Sequence, residues 1–337
     1  MPPDARLPRT RLSVPAYVDG VRRGDRATLA RAITLVESER AEDAGPAADL
    51  LDAILPYTGR ARSVAITGVP GAGKSTLIDA LGVHLVRDRG ERVAVLSIDP
   101  SSPVSGGSLL GDKTRMARLA VEPRAFVRPS PARGHLGGVA PRTREAILLC
   151  DAAGFDTVCI ETVGVGQSEI AVRGMSDCFV LLLLAGAGDE LQGLKRGIIE
   201  MADILAITKA DGANRAPAAR ARSTYAGAIH HFPTAPHQWT PPVLMTSALE
   251  GEGIAELWTS VLAHQAHAEA SGVGPAQRRH QATTWLRELV AAALGRELVR
   301  DPAVESVVAD YETRVAESKI SAVSAARAIA DRFLRRG

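Results

Sequence analysis

The feature that most restricts the fold of this 337-residue chain is a glycine-rich loop between an apolar run and a helical pattern. The apolar run is Val64–Ile66, and the helical pattern starts near Leu77. The loop consists of nine consecutive residues: Gly68, Val69, Pro70, Gly71, Ala72, Gly73, Lys74, Ser75 and Thr76. They fit G-x-x-x-x-G-K-[ST], the phosphate-binding loop of nucleotide hydrolases, in the strand, loop and helix context that this motif requires. The chain is therefore predicted to bind a nucleoside polyphosphate with Mg²⁺.

Each part of the loop has a chemical role. The three glycines permit backbone angles and a close approach that side chains would block. Backbone N–H groups can then point at the phosphates beside the positive end of the following helix. We expect Lys74 to reach the β- and γ-phosphates, Ser75 to ligate Mg²⁺ and Thr76 to lie near the α-phosphate.

Short apolar runs alternate with longer amphipathic segments from residue 61 onward. Six runs are predicted to be strands: Ser63–Thr67, Arg92–Ile98, Thr157–Glu161, Cys178–Ala185, Ile204–Thr208 and Val243–Thr246. Near-continuous apolar strands separated by helices indicate a mostly parallel sheet that is covered by helices on both faces. The predicted fold class is therefore α/β, a P-loop nucleotide-hydrolase fold. Ligands of such sheets bind at the carboxyl ends of the strands.

Helical patterns flank this region. Asp25 is predicted to cap a helix that runs to about Arg40, and a second short helix is predicted from Ala47 to Leu55. Residues 271–280 have the composition of a linker or elbow, and three helices are predicted after it. We divide the chain into an N-terminal helical extension (1–60), a P-loop domain (61–268) and a C-terminal helical segment (269–337).

Composition excludes several classes of function. The chain is 46% hydrophobic and 23% charged, with a net charge of +2, so no basic field indicates nucleic acid as a partner. The longest apolar run, Cys178–Ala187, is about half of what crosses a bilayer, and the N-terminus lacks an apolar signal core. Cys150, Cys159 and Cys178 form no C-x-x-C pair, which indicates buried thiols in a reducing compartment and no metal site. A cytoplasmic protein that is not bound to a membrane is expected.

Two acidic residues end predicted strands next to the loop. Asp99 could orient or deprotonate an attacking water, or hold a Mg²⁺-bound water. Glu161 fits a water-mediated Mg²⁺ contact. Gly164, three residues later, fits a backbone N–H that senses the γ-phosphate.

The segment Thr208–Asp211 follows the fifth predicted strand and indicates guanine as the base. The Asp211 carboxylate can accept hydrogen bonds from guanine N1–H and N2–H₂, a pair of donors that adenine lacks. The Lys209 stem can lie over the base. The remaining base-contacting loop is predicted at Ser247, Ala248 and Leu249.

The stretch from Gly111 to Arg144 is basic, with eight Lys or Arg against two acidic residues. A solvated loop face and a switch segment over the phosphates or against a partner are both compatible with this composition.

Several stretches together resemble one family, and they cover roughly residues 15–330. The stretches are Gly68–Thr76, Asp99–Ser102, Leu110–Met116, Glu161–Glu169, Leu191–Gly197 and Lys209–Asp211. They are similar to the MeaB/ArgK family of GTPases, whose human member is MMAA. Thr208 departs from the family, which usually has Asn there; because Thr cannot make both hydrogen bonds of the amide, we expect weaker base binding.

The resemblance implies a homodimeric GTPase of the class that includes the signal-recognition-particle GTPases. Such proteins are chaperones of methylmalonyl-CoA mutase, an adenosylcobalamin enzyme. They gate the loading of its cofactor and protect or reactivate the enzyme. By position, the resemblance assigns Mg²⁺ binding and hydrolysis to Asp99, Asp112 and Glu161, and a dimerisation arm to the C-terminal helices. It also assigns switching and partner signalling to four residues: Gln167, Gln192, Lys195 and Arg196.

The chain lacks D-x-H-x-x-G, the motif through which many such mutases bind cobalamin. We therefore expect GTP or GDP and Mg²⁺ as ligands, with cobalamin belonging to the partner. The alternative function is an ATPase or kinase linked to amino-acid transport of the arginine or ornithine type. A metallochaperone GTPase for nickel enzymes would need a cluster of His or Cys, which the sequence does not contain.

Overall fold

The computed structural model describes residues 11–99, 116–131, 142–162, 168–185, 196–229, 239–300 and 302–334. The chain divides into two compact units, Met1–Pro275 and Ala276–Gly337. Within the described residues, the first unit contains a sheet with seven strands: β1 (Arg62–Gly68), β2 (Val93–Asp99), β3 (Ala125–Pro131), β4 (Thr157–Thr162), β5 (Cys178–Leu184), β6 (Ile204–Thr208) and β7 (Val243–Met245). Their order is β3-β2-β4-β1-β5-β6-β7, and every neighbouring pair is parallel. The predicted α/β class is confirmed.

Helices precede, connect and follow the strands. Ten described α-helices lie wholly in the first unit: α1 (Val14–Arg22), α2 (Arg26–Val36), α3 (Ala41–Ile54), α4 (Lys74–Arg87), α5 (Ala117–Ala120), α6 (Thr143–Ala152), α7 (Ser168–Arg173), α8 (Arg196–Glu200), α9 (Arg215–Ile229) and α10 (Ile254–Ala270). Helix α11 (Val273–Arg300) begins in the first unit and continues into the second, which also contains α12 (Pro302–Ala316) and α13 (Ala322–Leu334).

Helices bury both faces of the sheet, and successive side chains of each strand point to opposite faces. Val64 and Ile66 of β1 pack with α4 and α10 in one cluster. Ala65, between them, packs on the other face with residues of α7, α8 and α9. This explains why the strands read as continuous apolar runs rather than as alternating patterns.

The N-terminal helices cover part of the sheet. Leu29, Ile33 and Leu50 are fully buried and share a cluster with Leu96 of β2 and Phe126 of β3. The helices α1, α2 and α3 therefore complete the hydrophobic core of the first unit.

The predicted cap of α2 is confirmed. Asp25 Oδ1 accepts a hydrogen bond from the Ala27 N–H at 3.1 Å, and Thr28 Oγ1 donates to Oδ2 at 2.6 Å. Hydrogen bonding, chiefly from Thr28, lowers the pKa of the Asp25 carboxyl. Charged Asp25 therefore satisfies helix N–H groups that would otherwise lack a partner.

Strand β3 and helix α1 were not predicted from the sequence. Strand β3 contains Pro129 and Pro131, which cannot donate to a ladder and which therefore argue against a strand. Both prolines are tolerated because β3 is the edge strand beside β2. Helix α1 is short and is capped by Ser13, whose hydroxyl accepts from the Ala16 N–H at 3.4 Å.

The boundary between the two units, after Pro275, lies within the linker or elbow predicted at residues 271–280, but most of that range is helical. Helix α10 ends at Ala270, and α11 already begins at Val273. The interruption is limited to Ser271 and Gly272, where Gly272 has a φ of 73°. Pro275 is accommodated because the first turn of a helix needs no N–H donor.

Among the helices described, none has the length and apolar character needed to cross a membrane.

Candidate functional site

The phosphate-binding loop joins the end of β1 to the start of α4. Gly73, just before the helix, has a φ of 82°, in the left-handed region that glycine adopts without strain. At Gly68, a Cβ atom would lie 2.5 Å from the backbone oxygen of Leu182 on β5, so no side chain fits. These two glycines allow a tight turn at the carboxyl edge of the sheet, beside the N-terminus of α4.

Lys74 is held against the loop. Its Nζ donates hydrogen bonds to the carbonyl oxygens of Gly68 at 2.8 Å and Val69 at 3.2 Å. Burial lowers the pKa of Lys74, while the negative charges of Glu161 and Glu169 oppose this effect. The ammonium group is therefore a buried cation at the point where a phosphate would bind.

The Glu161 carboxylate lies between two serine hydroxyls. Ser75 Oγ, in the first turn of α4, donates to Glu161 Oε1 at 2.6 Å. Ser97 Oγ, on β2, donates to Glu161 Oε2 at 2.9 Å. Ser97 and Glu161 are partners in the β2–β4 register, which places both side chains on the same face of the sheet.

The oxygen atoms of this group fit Mg²⁺, which prefers hard oxygen ligands and keeps several of its waters. Ser75 would be a direct ligand, and Glu161 would contact the ion through water. Asp99 ends β2 at the same edge of the sheet, two residues after Ser97.

A cavity of about 310 Å³ opens beside the loop. It is lined by residues from the loop, from α4 and from the two segments after β6 and β7: Ala72, Gly73, Thr76, Leu77, Thr208, Lys209, Asp211, Thr246, Ala248 and Leu249. The loop and the predicted base-contacting segments therefore border one space, although they are distant in sequence.

The far side of this cavity is formed around Asp211. Ser247 Oγ donates to Asp211 Oδ2 at 2.5 Å, which links the segment after β7 to the segment after β6. Lys209 has a φ of 55°, unusual for a residue with a side chain. Asn214 Nδ2 donates to the Lys209 carbonyl oxygen at 2.6 Å and helps to hold this conformation.

Thr208 links β6 to the phosphate-binding loop. Its buried hydroxyl lies 2.7 Å from the Ala72 carbonyl oxygen and 3.2 Å from that of Leu183, and it can donate its one proton to either. The sequence indicated that Thr cannot replace both hydrogen bonds of an amide. The structure adds that the hydroxyl nevertheless makes a link to the loop.

Several predicted site residues lie outside the described part of the chain: Asp112, Gly164, Gln167, Gln192 and Lys195. The backbones of Asp99 and Arg196 are described, at the end of β2 and the start of α8, but their side chains are not.

Ser97 was missed by sequence reasoning. It stands inside an apolar run, where a single serine has no distinctive signal. Only the strand register reveals that Glu161 is its neighbour.

The arginines of the basic stretch have partners within the fold wherever it is described. Arg118 pairs with Asp79 of α4 at 2.7 Å, and Arg128 of β3 pairs with Glu37 at the end of α2. Arg142 pairs with Glu145 at 3.2 Å, and Arg124 and Arg144 donate to backbone carbonyl oxygens. At these positions the basic residues pair with groups of the chain itself.

All three cysteines are free and buried, as predicted. Burial raises the pKa of Cys150 and Cys159 to about 12 and that of Cys178 well above its usual value.

Cys178 also lies in a buried group with Asp203 and His264, whose potential ligand atoms are within 4.8 Å of one another. Arg173 donates two hydrogen bonds to Asp203, at 2.6 and 3.0 Å, so this carboxylate is already neutralised by a cation. The group therefore has the contacts of a structural ion pair.

A family model and several known proteins match most of this chain. The family model described as "Methylmalonyl Co-A mutase-associated GTPase MeaB" matches residues 29–303, which is more than half of the chain. "GTPase ArgK" of Escherichia coli K12 is 50% identical over 268 residues, which cover 80% of this chain and 81% of the relative.

A mouse relative named "Methylmalonic aciduria type A homolog, mitochondrial" is 43% identical over 330 residues, with 94% of this chain and 79% of the relative covered. A solved structure described as "Crystal structure of LAO/AO transport system kinase" superposes with a TM-score of 0.75 at 36% identity. It covers 96% of this chain and 100% of its own.

Proposed function

Because the chain belongs to the MeaB family of methylmalonyl-CoA mutase-associated GTPases, we propose that it is a Mg²⁺-dependent GTPase and the chaperone of an adenosylcobalamin-dependent acyl-CoA mutase. The observation that carries the nucleotide part of the proposal is the shared cavity. The phosphate-binding loop borders it on one side and Asp211 borders it on the other. A nucleotide can therefore contact both at once.

The phosphate side supplies charge and donors. Lys74 would exchange its hydrogen bonds to Gly68 and Val69 for the β- and γ-phosphates. Because Lys74 is 9% exposed, little water competes with the phosphates for its charge. Mg²⁺, held by Ser75 and through water by Glu161, with Asp99 and Asp112 as further candidates, would supply neutralisation of phosphate charge when bound. Asp99 or Asp112 would orient the attacking water.

The base side supplies discrimination. Ser247 fixes Asp211 Oδ2, which orients the carboxylate for the N1–H and N2–H₂ donors of guanine. Lys209, held by Asn214, would place its stem over the base plane. Adenine lacks the two donors, so it would leave the carboxylate with no hydrogen bond from the base.

Affinities for GDP and ADP test this part directly. We expect the wild-type chain to bind GDP at least roughly 100-fold more tightly than ADP, since the two hydrogen bonds to a charged group contribute about 1.5–3 kcal/mol each. Asp211→Ala should reduce the GDP affinity and leave the ADP affinity within about twofold. Glu250→Ala, at an exposed position in the segment after β7 that borders the same cavity, is the matched control. Equal GDP and ADP affinities in the wild type would contradict guanine recognition.

The chaperone role is supported by the family description and by the name of the mouse relative. We propose that the nucleotide state is relayed from Gly164 through Gln167, Gln192, Lys195 and Arg196 to a mutase, with methylmalonyl-CoA mutase as the first candidate. This relay would gate the loading of adenosylcobalamin and protect or reactivate the enzyme. The cobalamin would be bound by the mutase.

Titration with the mutase tests the partner. The rate of GTP hydrolysis should be slow for the isolated chain and should rise with methylmalonyl-CoA mutase until it saturates. Lys195→Ala should keep the isolated rate and lose the increase. A rate that stays flat across the titration would contradict the chaperone role.

We also propose that the C-terminal helices form a homodimer. Leu286, Val290 and Leu294 lie four residues apart on α11, which places them on one face of the helix, and they are 61%, 49% and 56% exposed. An apolar stripe of this kind is suited to a second copy of the same helix. Val290→Glu should give a monomer in light scattering, whereas Glu288→Arg, at an exposed polar position of the same helix, should leave the dimer intact.

A transport-linked kinase is the alternative, and the solved relative carries the name of such an activity. It requires phosphoryl transfer from ATP to a protein or amino acid, so ADP should then bind at least as tightly as GDP. The same affinity measurement therefore separates the two functions. A cytoplasmic location stays a prediction.

A further inference from the structure

Ser97 is the residue of the site whose contacts point to a role that family membership does not assign. It is 2% exposed and lies on β2, between β3 and β4. Its hydroxyl donates to Glu161 Oε2 at 2.9 Å, while Ser75 donates to the other oxygen, Oε1, at 2.6 Å. The two oxygens of one carboxylate are therefore held by hydroxyls from two different elements.

The two serines differ in what else they can reach. Ser75 is half-buried and adjoins Lys74, so its oxygen can turn to a ligand of the loop. Ser97 is enclosed within a strand that is paired on both sides, with β3 and with β4. Among the described residues, Glu161 is the group through which Ser97 can influence a bound metal.

We propose that Ser97 is a positioning residue for the metal-linked carboxylate. By holding Oε2, it fixes the rotation of the Glu161 side chain so that Oε1 faces Ser75, where Mg²⁺ would bind. The inference rests on the proposed Mg²⁺-dependent GTPase. Partners that orient a metal-linked group in this way typically change metal affinity by roughly 10- to 100-fold when they are removed.

The chain contains a matched control at the end of the sheet where the strands begin. Ser63, near the start of β1, donates its hydroxyl to Asp177 Oδ2, also at 2.9 Å, and is 7% exposed. Ser63→Ala removes the same type of hydrogen bond from the same type of strand position. It removes nothing from the nucleotide site.

The release of a fluorescent GDP analogue from the full chain, measured against Mg²⁺ concentration, tests the inference without any need for hydrolysis. Mg²⁺ should slow release from the wild type. Ser97→Ala should raise the Mg²⁺ concentration needed for half of this effect by about tenfold. Release in EDTA should be unchanged, and Ser63→Ala should match the wild type throughout. Ser97→Thr, which keeps the hydroxyl, should restore the wild-type Mg²⁺ dependence.

A double-mutant cycle separates positioning from simple packing. With Glu161→Gln already present, adding Ser97→Ala should cause no further shift in Mg²⁺ dependence. If Ser97→Ala speeds release equally with and without Mg²⁺, or if its effect persists in the Glu161→Gln background, then Ser97 has only a packing role and the inference is overturned. Unfolding of Ser97→Ala in circular dichroism, with Ser97→Thr folded but altered in its Mg²⁺ dependence, would overturn it as well.

The wild-type curve keeps the two proposals distinguishable. If Mg²⁺ does not affect GDP release from the wild type, the proposed Mg²⁺ dependence of the GTPase is contradicted, and so is the proposed role of Ser97. If Mg²⁺ slows release equally from the wild type and from Ser97→Ala, only the role of Ser97 is contradicted.

Discussion

Carboxylates lie at two edges of the parallel sheet, the edge where the strands begin and the edge where they end. They accept hydrogen bonds from different kinds of donor at the two edges. Where the strands begin, Asp151 accepts from the backbone N–H groups of Gly59 and Ala61, before β1. Asp203 accepts from the N–H of Phe179 on β5 at 2.8 Å, as well as from Arg173. Asp177 accepts from the Ser63 hydroxyl, but it is also held by the Ser63 backbone N–H at 2.8 Å.

Where the strands end, the donors are serine hydroxyls. Glu161 accepts from Ser75 and Ser97, and Asp211 accepts from Ser247. A backbone N–H cannot turn to another acceptor without local unfolding, whereas a hydroxyl can rotate. The comparison therefore indicates that carboxylates at the first edge maintain the fold, while those at the second edge can exchange partners with a ligand.

The largest effect is expected at the edge where the strands begin. Asp203→Ala leaves Arg173 and the Phe179 N–H without their buried acceptor, so the free energy of unfolding should fall by about 3–5 kcal/mol. Urea denaturation measures it. The exposed pair of Arg215 with Glu252 is the control, since Arg215→Ala should cost less than about 1 kcal/mol. A loss of GDP affinity in folded Asp203→Ala, without a loss of stability, would contradict the division between the two edges.

Lys74→Ala should have the reverse effect of Asp203→Ala, since it should reduce activity and leave stability unchanged. GTP turnover should fall by roughly a hundredfold to a thousandfold, since a buried charged donor to the phosphates is lost. The unfolding temperature without nucleotide should not fall, because burial already disfavours the charged amine. Steady-state phosphate release and thermal melting measure the two properties. A marked loss of stability with turnover retained would place Lys74 among the structural residues.

Thr208→Val tests the link between the base side and the phosphate side. The change keeps the shape of the side chain and removes the donor to the Ala72 carbonyl oxygen. GDP and ADP affinities should fall together by about fivefold, which corresponds to a hydrogen bond of about 1 kcal/mol. Thr208→Ser should keep both affinities. A change in the ratio of GDP to ADP affinity would show that Thr208 takes part in base selection.

The smallest effect is a pH dependence of nucleotide binding. Phosphates favour charged Lys74, so GDP affinity should fall as pH rises through the pKa of this residue. Because burial lowers that pKa from its ordinary 10.5, the fall should begin at a lower pH than for an exposed lysine. Lys74→Gln provides the baseline, since the titration of guanine itself affects both proteins equally. Identical profiles of wild type and Lys74→Gln between about pH 7 and 10 would contradict the assignment.

Much of the fold could be predicted because it follows from local patterns. The strand, loop and helix around Gly68–Thr76, the six apolar strands and the Asp25 cap each depend on neighbouring residues only. Strand β3 was missed since the cost of its prolines depends on whether the strand lies at an edge. The break at residues 271–280 was predicted too long because Pro275 is unfavourable within a helix but not in its first turn.

The sequence by itself determined the phosphate-binding loop, the parallel α/β class and the residue types at the strand ends, since these are properties of short segments. Tertiary structure alone decided which of them meet. The order and register of the strands bring Ser97 to Glu161, and the folding of distant segments brings Thr208 to Ala72 and Ser247 to Asp211. Such pairings depend on how whole strands and helices pack, and a hydroxyl inside an apolar run carries no local signal of the carboxylate it will meet.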